Sequence, residues 1–164
     1  MGRDIIRRTW IAALTGGVAA AALVLLATQP VAAVTAPSVG QNHIVGAWEA
    51  QSYSLSTGEE HSLVGKIFFT ATDWQVVFFV LDADGAVKRG SAEGGTYATE
   101  GDSLTFMHRF NLSAGDSVPG LPAADLRMTV NESMAAEAAR FAIDRDTLTI
   151  FFPSGNEMRF RRTS

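Results

Sequence analysis

Three sets of residues in this chain have types and spacing that could do chemistry. Gly101-Asp102-Ser103-Leu104 has the spelling of a serine-hydrolase nucleophile block. Such a serine needs a histidine base, a carboxylate to orient that base, and donors for the oxyanion. The histidine that follows Ser103 is His108, five residues on in the same apolar run, and no late Asp-x-x-His block completes the set. The block therefore reads as a hairpin turn entering a strand. Asp82-x-Asp84-Gly85 begins like a calcium loop but lacks the later oxygen ligands and the bidentate glutamate. Asp and Gly at this spacing are what a tight turn requires. His43, His61 and His108 have no second histidine or cysteine at metal-ligand spacing. No metal and no cofactor is expected.

His108 is the most informative of the three histidines. It alternates with Leu104, Phe106, Phe110 and Leu112, which puts it on the apolar face of a strand. A polar group there must find a partner. It could bond a ligand head group, carry a proton in an isomerase, cyclase or hydratase, or ligate haem; a neighbouring backbone group would also satisfy it. Arg109 falls on the opposite face, so no second titratable group is in view and no catalytic set is assigned. The residues expected to line an apolar interior are Phe69, Phe78, Phe106, His108 and Phe110.

The elements that must position these residues are short apolar runs punctuated by turn residues about every 8–12 positions, the rhythm of an all-β sandwich or barrel. Strands are expected near 48–53, 63–70, 74–81, 104–112, 140–143, 148–152 and 157–162, with weaker ones at 86–89 and 96–99. Short connections make this an antiparallel meander of about eight to ten strands. The segment 113–138 breaks the rhythm with Gly115, Pro119, Gly120 and Pro122. It predicts a strand at 127–130 and a short helix through Ala138 capped by Asn131, lying over a mouth or flank. Phe68-Phe69, Phe78-Phe79 and Phe151-Phe152 make three strands apolar on both faces. Their outer rings call for a cover: the 113–138 segment, a second copy in a homodimer, or an apolar ligand surface.

Arg3, Arg7 and Arg8 precede residues 10–27, which carry no charge, and Val31-Ala32-Ala33 offers a cleavage site after Ala33. This is the pattern of a signal peptide. If retained, the run sits at the lower limit of about 18 residues for spanning a bilayer and would be the chain's one membrane link. Arg7-Arg8 fits a twin-arginine pattern loosely, but paired arginines are common in ordinary leaders, so the general secretory route is expected. The division is then a signal peptide at 1–33, a linker at 34–43 and one β domain at 44–164, exported to the periplasm or beyond. The net charge is −4, and loss of the basic leader makes the remainder more acidic. That excludes the basic face a nucleic acid or anionic membrane selects. With no cysteine there is no disulfide framework, and the fold must rest on its core.

Gly46-Ala47-Trp48 on the first strand and Arg159-Phe160-Arg161-Arg162 on the last resemble the bracket of the bacterial lipocalin-like proteins. The resemblance spans nearly the whole exported portion in rhythm. It implies a single antiparallel barrel, with Gly46 and Trp48 at its closed end and either Arg161 or Arg162 packed across the indole. These residues would be structural. The implied function is binding or carriage of a small apolar molecule. A barrel isomerase, cyclase or hydratase on a lipid-like substrate, and a ligand-free envelope interaction or inhibitor module, are the alternatives.

Overall fold

The computed structural model describes residues 43–164; the expected signal peptide and nearly all of its linker lie outside the described residues. Eight strands follow one another in chain order: β1 (Gly46–Ser54), β2 (Glu60–Phe69), β3 (Asp73–Leu81), β4 (Val87–Glu100), β5 (Ser103–Gly115), β6 (Ala124–Asp144), β7 (Thr147–Phe151) and β8 (Glu157–Arg162). Each pairs antiparallel with the next, and β8 pairs with β1, so the sheet closes into a barrel with no free edge. This is the all-β, single-barrel architecture expected from the sequence.

Two turns settle questions posed by the motifs. Asp82 Oδ1 accepts from the backbone N–H groups of Asp84 (3.0 Å) and Ala86 (2.8 Å), and Gly85 has φ +82°. The aspartate therefore satisfies its own hairpin. Gly101, at φ +60°, turns β4 into β5, and Asp102 accepts a hydrogen bond from Arg140 Nε at 2.9 Å across to β6. Ser103 is an exposed residue at the start of β5.

Closure depends on one end of the tube. Trp48 is fully buried and donates its indole N–H to the Ile44 carbonyl at 2.8 Å. The Arg162 guanidinium carbon stands 3.9 Å from the Trp48 ring centroid. The same guanidinium donates to the carbonyls of His43 (2.6 Å) and Val45 (3.3 Å), tying the chain before β1 across the barrel's end. The Trp48 partner is thus Arg162. Arg161 points outward and meets Glu49 at 3.4 Å. Above this plug lies an apolar floor of Leu104, Leu148, Ile150 and Phe160. Phe69, Tyr97, Trp74 and Phe106 continue it as a chain of rings, with centroids 5.0 Å apart for Phe69–Tyr97 and 4.4 Å for Trp74–Phe106.

Two expectations are corrected. The segment 113–138 carries no helix and covers no flank: most of it is barrel wall, the end of β5 and a long β6. Alanine and glutamate favour helices in isolation, but here β6 pairs with β5 at 127–130 and 135–140 and then with β7, and tertiary pairing overrides propensity. The weak strands at 86–89 and 96–99 are one strand, β4.

The outward phenylalanines have their own use. Phe79 lies over Gly90, where a Cβ would come within 2.9 Å of the ring, and Phe110 lies over Gly94, where it would come within 2.6 Å. Bare glycine backbone on β4 is thus shielded by rings from β3 and β5. Leu112, Leu126, Met128 and Val130 form a further exposed apolar band on β5 and β6, which no described residue covers.

The Arg162→Ala variant is expected to lose about 2–3 kcal/mol of stability, from the ring contact and the two carbonyl bonds. Arg161→Ala should cost less than about 1 kcal/mol, as for an exposed ion pair. Urea denaturation of both variants checks the order; equal losses would contradict the assignment of the plug.

Candidate functional site

The barrel interior holds a cavity of about 410 Å³ above the apolar floor. That size lies within the usual range for small-molecule sites. The cavity has two unlike walls. One is apolar, with Val76, Phe78 and Val80 from β3 and Ile150 and Met158 from β7 and β8. The other is polar, with Arg89, Ser91 and Glu93 from β4, His108, Asn111 and Ser113 from β5, and Glu137 from β6.

At the centre of the polar wall one imidazole serves two carboxylates. His108 Nδ1 lies 3.2 Å from Glu93 Oε2, and His108 Nε2 lies 3.0 Å from Glu137 Oε2. The ring is further fixed edge-on to Trp74, with centroids 5.1 Å apart and an interplanar angle of 87°. The bonds to Glu137 and Glu93 hold the imidazolium in place against the cost of burial, and the His108 pKa is raised to about 9. Burial works against the Glu93 carboxylate, but hydrogen bonds from His108 and Ser91 outweigh it and keep its pKa below the ordinary value. Ser91 Oγ donates to Glu93 Oε1 at 2.9 Å. Two carboxylates, the His108 imidazolium and the Arg89 guanidinium therefore share the wall. A histidine that donates both N–H groups has no lone pair for abstracting a proton.

Across the cavity, Tyr53 receives a hydrogen bond from Asn156 Nδ2 at 2.8 Å, and burial raises its pKa. Its hydroxyl remains protonated and can donate. The mouth is partly crossed by residues 116–123. His61, buried at 7% exposure, donates from Nε2 to the Pro119 carbonyl at 2.9 Å, and Arg89 donates to the Pro122 carbonyl at 2.8 Å. A small bridge between Val118 and Leu121 folds the strap, and Leu121 faces the cavity.

Of the five residues expected inside, Phe78, Phe106 and His108 line the cavity. Phe69 is buried in the floor at 3% exposure, outside the cavity lining. Phe110 is on the outer surface. The cause is a bulge: Gly94 pairs with Phe110 and Gly95 with His108, leaving Arg109 as an extra residue in β5. One extra residue inverts every later side chain. Asn111 and Ser113 consequently turn inward, and Leu112 turns out. The same happens in β1, where a register shift around Gln51 brings Tyr53 to the cavity in place of Ser52. Glu93 and Glu137, the partners of His108, escaped sequence reasoning because they fall between the two weak strands and inside the expected helix. The available signal was the alternation Arg89, Ser91, Glu93 against Gly90, Ala92, Gly94, which is a strand with its polar side inward.

No protein-family model and no curated protein matches the chain. Among solved structures the chain is similar to a lipocalin-like protein from Bacteroides uniformis, at TM-score 0.45 and 14% identity, covering 73% of this chain and 98% of that one. It is similar to the same degree, TM-score 0.45, to an uncharacterized protein from Bacteroides eggerthii, at 10% identity, covering 73% of this chain and 99% of that one.

The histidine makes a pH prediction. A folded pKa of about 9 against an ordinary 6.5 means its stabilising contribution is complete below about pH 6.5 and is lost as pH rises through about 9. NMR titration of the His108 ring should show a midpoint near 9, and the His108→Gln variant should lose the corresponding part of the alkaline decline in melting temperature. A midpoint near 6.5 would contradict the shared-imidazole geometry.

Proposed function

We propose that this protein is an exported, lipocalin-like binder of one small molecule with a large apolar surface, held inside the barrel. The carrying observation is the cavity itself, hollow and two-sided in a barrel whose size would also allow a filled interior. Its apolar wall supplies burial worth about 25 cal/mol per Å² of ligand surface. Its polar wall supplies orientation through Ser91, Asn111 and the free Tyr53 hydroxyl proton. Export rests on the leader, the uncharged run at 10–27 and the small residues ending at Ala33. The site favours binding over catalysis, because His108 is already spent on two carboxylates and no nucleophile among the described residues stands beside a free base.

Native mass spectrometry of the full-length protein purified gently from its own host should show a single retained small molecule. The Ser91→Phe variant, which places a ring in the cavity, should lower retention at least about tenfold while the fold, read by circular dichroism, persists. An empty wild-type barrel that also fails to take up a neutral fluorescent probe such as N-phenyl-1-naphthylamine would overturn the reading.

A further inference from the structure

We infer that the head group this cavity selects is a protonated amine, carried on an apolar body. The inference rests on the reading of the cavity as a ligand site and adds the chemical class of what enters it. Four charged side chains face the space: Glu93, Glu137, His108 and Arg89. His108 donates one N–H to each carboxylate, and a single imidazolium can offset one negative charge of the two. Glu93 has both oxygens engaged, one by His108 and one by Ser91. Glu137 uses Oε2 for His108, and its second oxygen has no hydrogen-bond partner among the described residues. The polar wall therefore presents, on the part-exposed Glu137 side chain, a carboxylate oxygen that no described residue engages.

Arg89 does not neutralise that charge locally. It stands four residues before Glu93, toward the mouth, and donates its Nη1 to the Pro122 carbonyl of the strap. The rings of Tyr53, Trp74, Phe78 and Phe106 line the same cavity, and Trp74 stands edge-on to the His108 ring that joins the two carboxylates. Aromatic faces attract ammonium groups through their quadrupoles, most strongly where water is thinned. Carboxylate and rings together suit a cation with a greasy body. An anionic head at the same depth would face two carboxylates and would be rejected. A hydroxyl head could donate to Glu137 but would leave the charge unmatched.

A matched series tests this on the full chain: octylamine, 1-octanol and octanoate, each displacing N-phenyl-1-naphthylamine near pH 7 at low salt. Octylamine should bind at least about tenfold more tightly than octanoate, with octanol between them. Added salt should narrow the gap. Glu137→Gln should reduce the amine advantage to about threefold or less; Glu93→Gln gives a second reading should the first variant fold poorly. Octanoate or octanol binding as tightly as octylamine overturns the amine assignment while the cavity keeps its role. So does an amine preference that survives both glutamine variants. Failure of the probe and all three compounds to bind overturns the ligand site, and the amine assignment with it.

Discussion

The interior depends on one imidazole shared between two carboxylates. Two glutamates face into the barrel, and the more buried of them, Glu93, would carry a desolvation cost if left alone. His108 bonds both, at 3.2 and 3.0 Å, and Ser91 bonds the first a second time. Once that cluster exists, β4, β5 and β6 carry an inner face that apolar side chains cannot fill without stranding a charge. The space between the cluster and the apolar wall of β3, β7 and β8 is what remains.

The two ends of the tube answer different needs. At the closed end, backbone carbonyls of residues 43–45 would otherwise hang beyond the first strand; the Trp48 indole and the Arg162 guanidinium take up three of them. The arginine adds its ring contact, and the floor of large apolar residues rests on the pair. At the mouth the strap is held by side-chain donors to carbonyls, His61 to Pro119 and Arg89 to Pro122. These bonds are few and local, so the mouth is the end where a molecule could pass at least cost.

Most of the barrel was legible in the sequence wherever one strand face is apolar and its turns are short. β2, β3, β7 and β8 lie close to their expected bounds, and Trp48 with a late arginine marked the closed end. The misses share one physical origin. Periodicity assumes unbroken alternation, and a bulge adds a residue without a compositional mark. Gln51 and Arg109 each reverse the faces beyond them, and the second moved Phe110 out and brought Asn111 and Ser113 in. β4 and β6 were read only in pieces, at 86–89, 96–99, 127–130 and 140–143, because between those pieces Ser91, Glu93 and Glu137 turn polar side chains inward, the reverse of the pattern that usually identifies a strand in a soluble barrel. Glu93 and Glu137 were lost with them, and His108 was left without its partners.

Whether the tube is hollow therefore turns on which way β5 faces beyond Arg109. NMR cross-relaxation from the Phe110 ring protons measures this directly. Strong contacts are expected from Phe110 to the Gly94 Hα protons on the outer surface, and none to Phe106 or Val76. Contacts from Phe110 to Phe106 and Val76 would mean that alternation continues unbroken and a phenylalanine fills the interior, which contradicts the account.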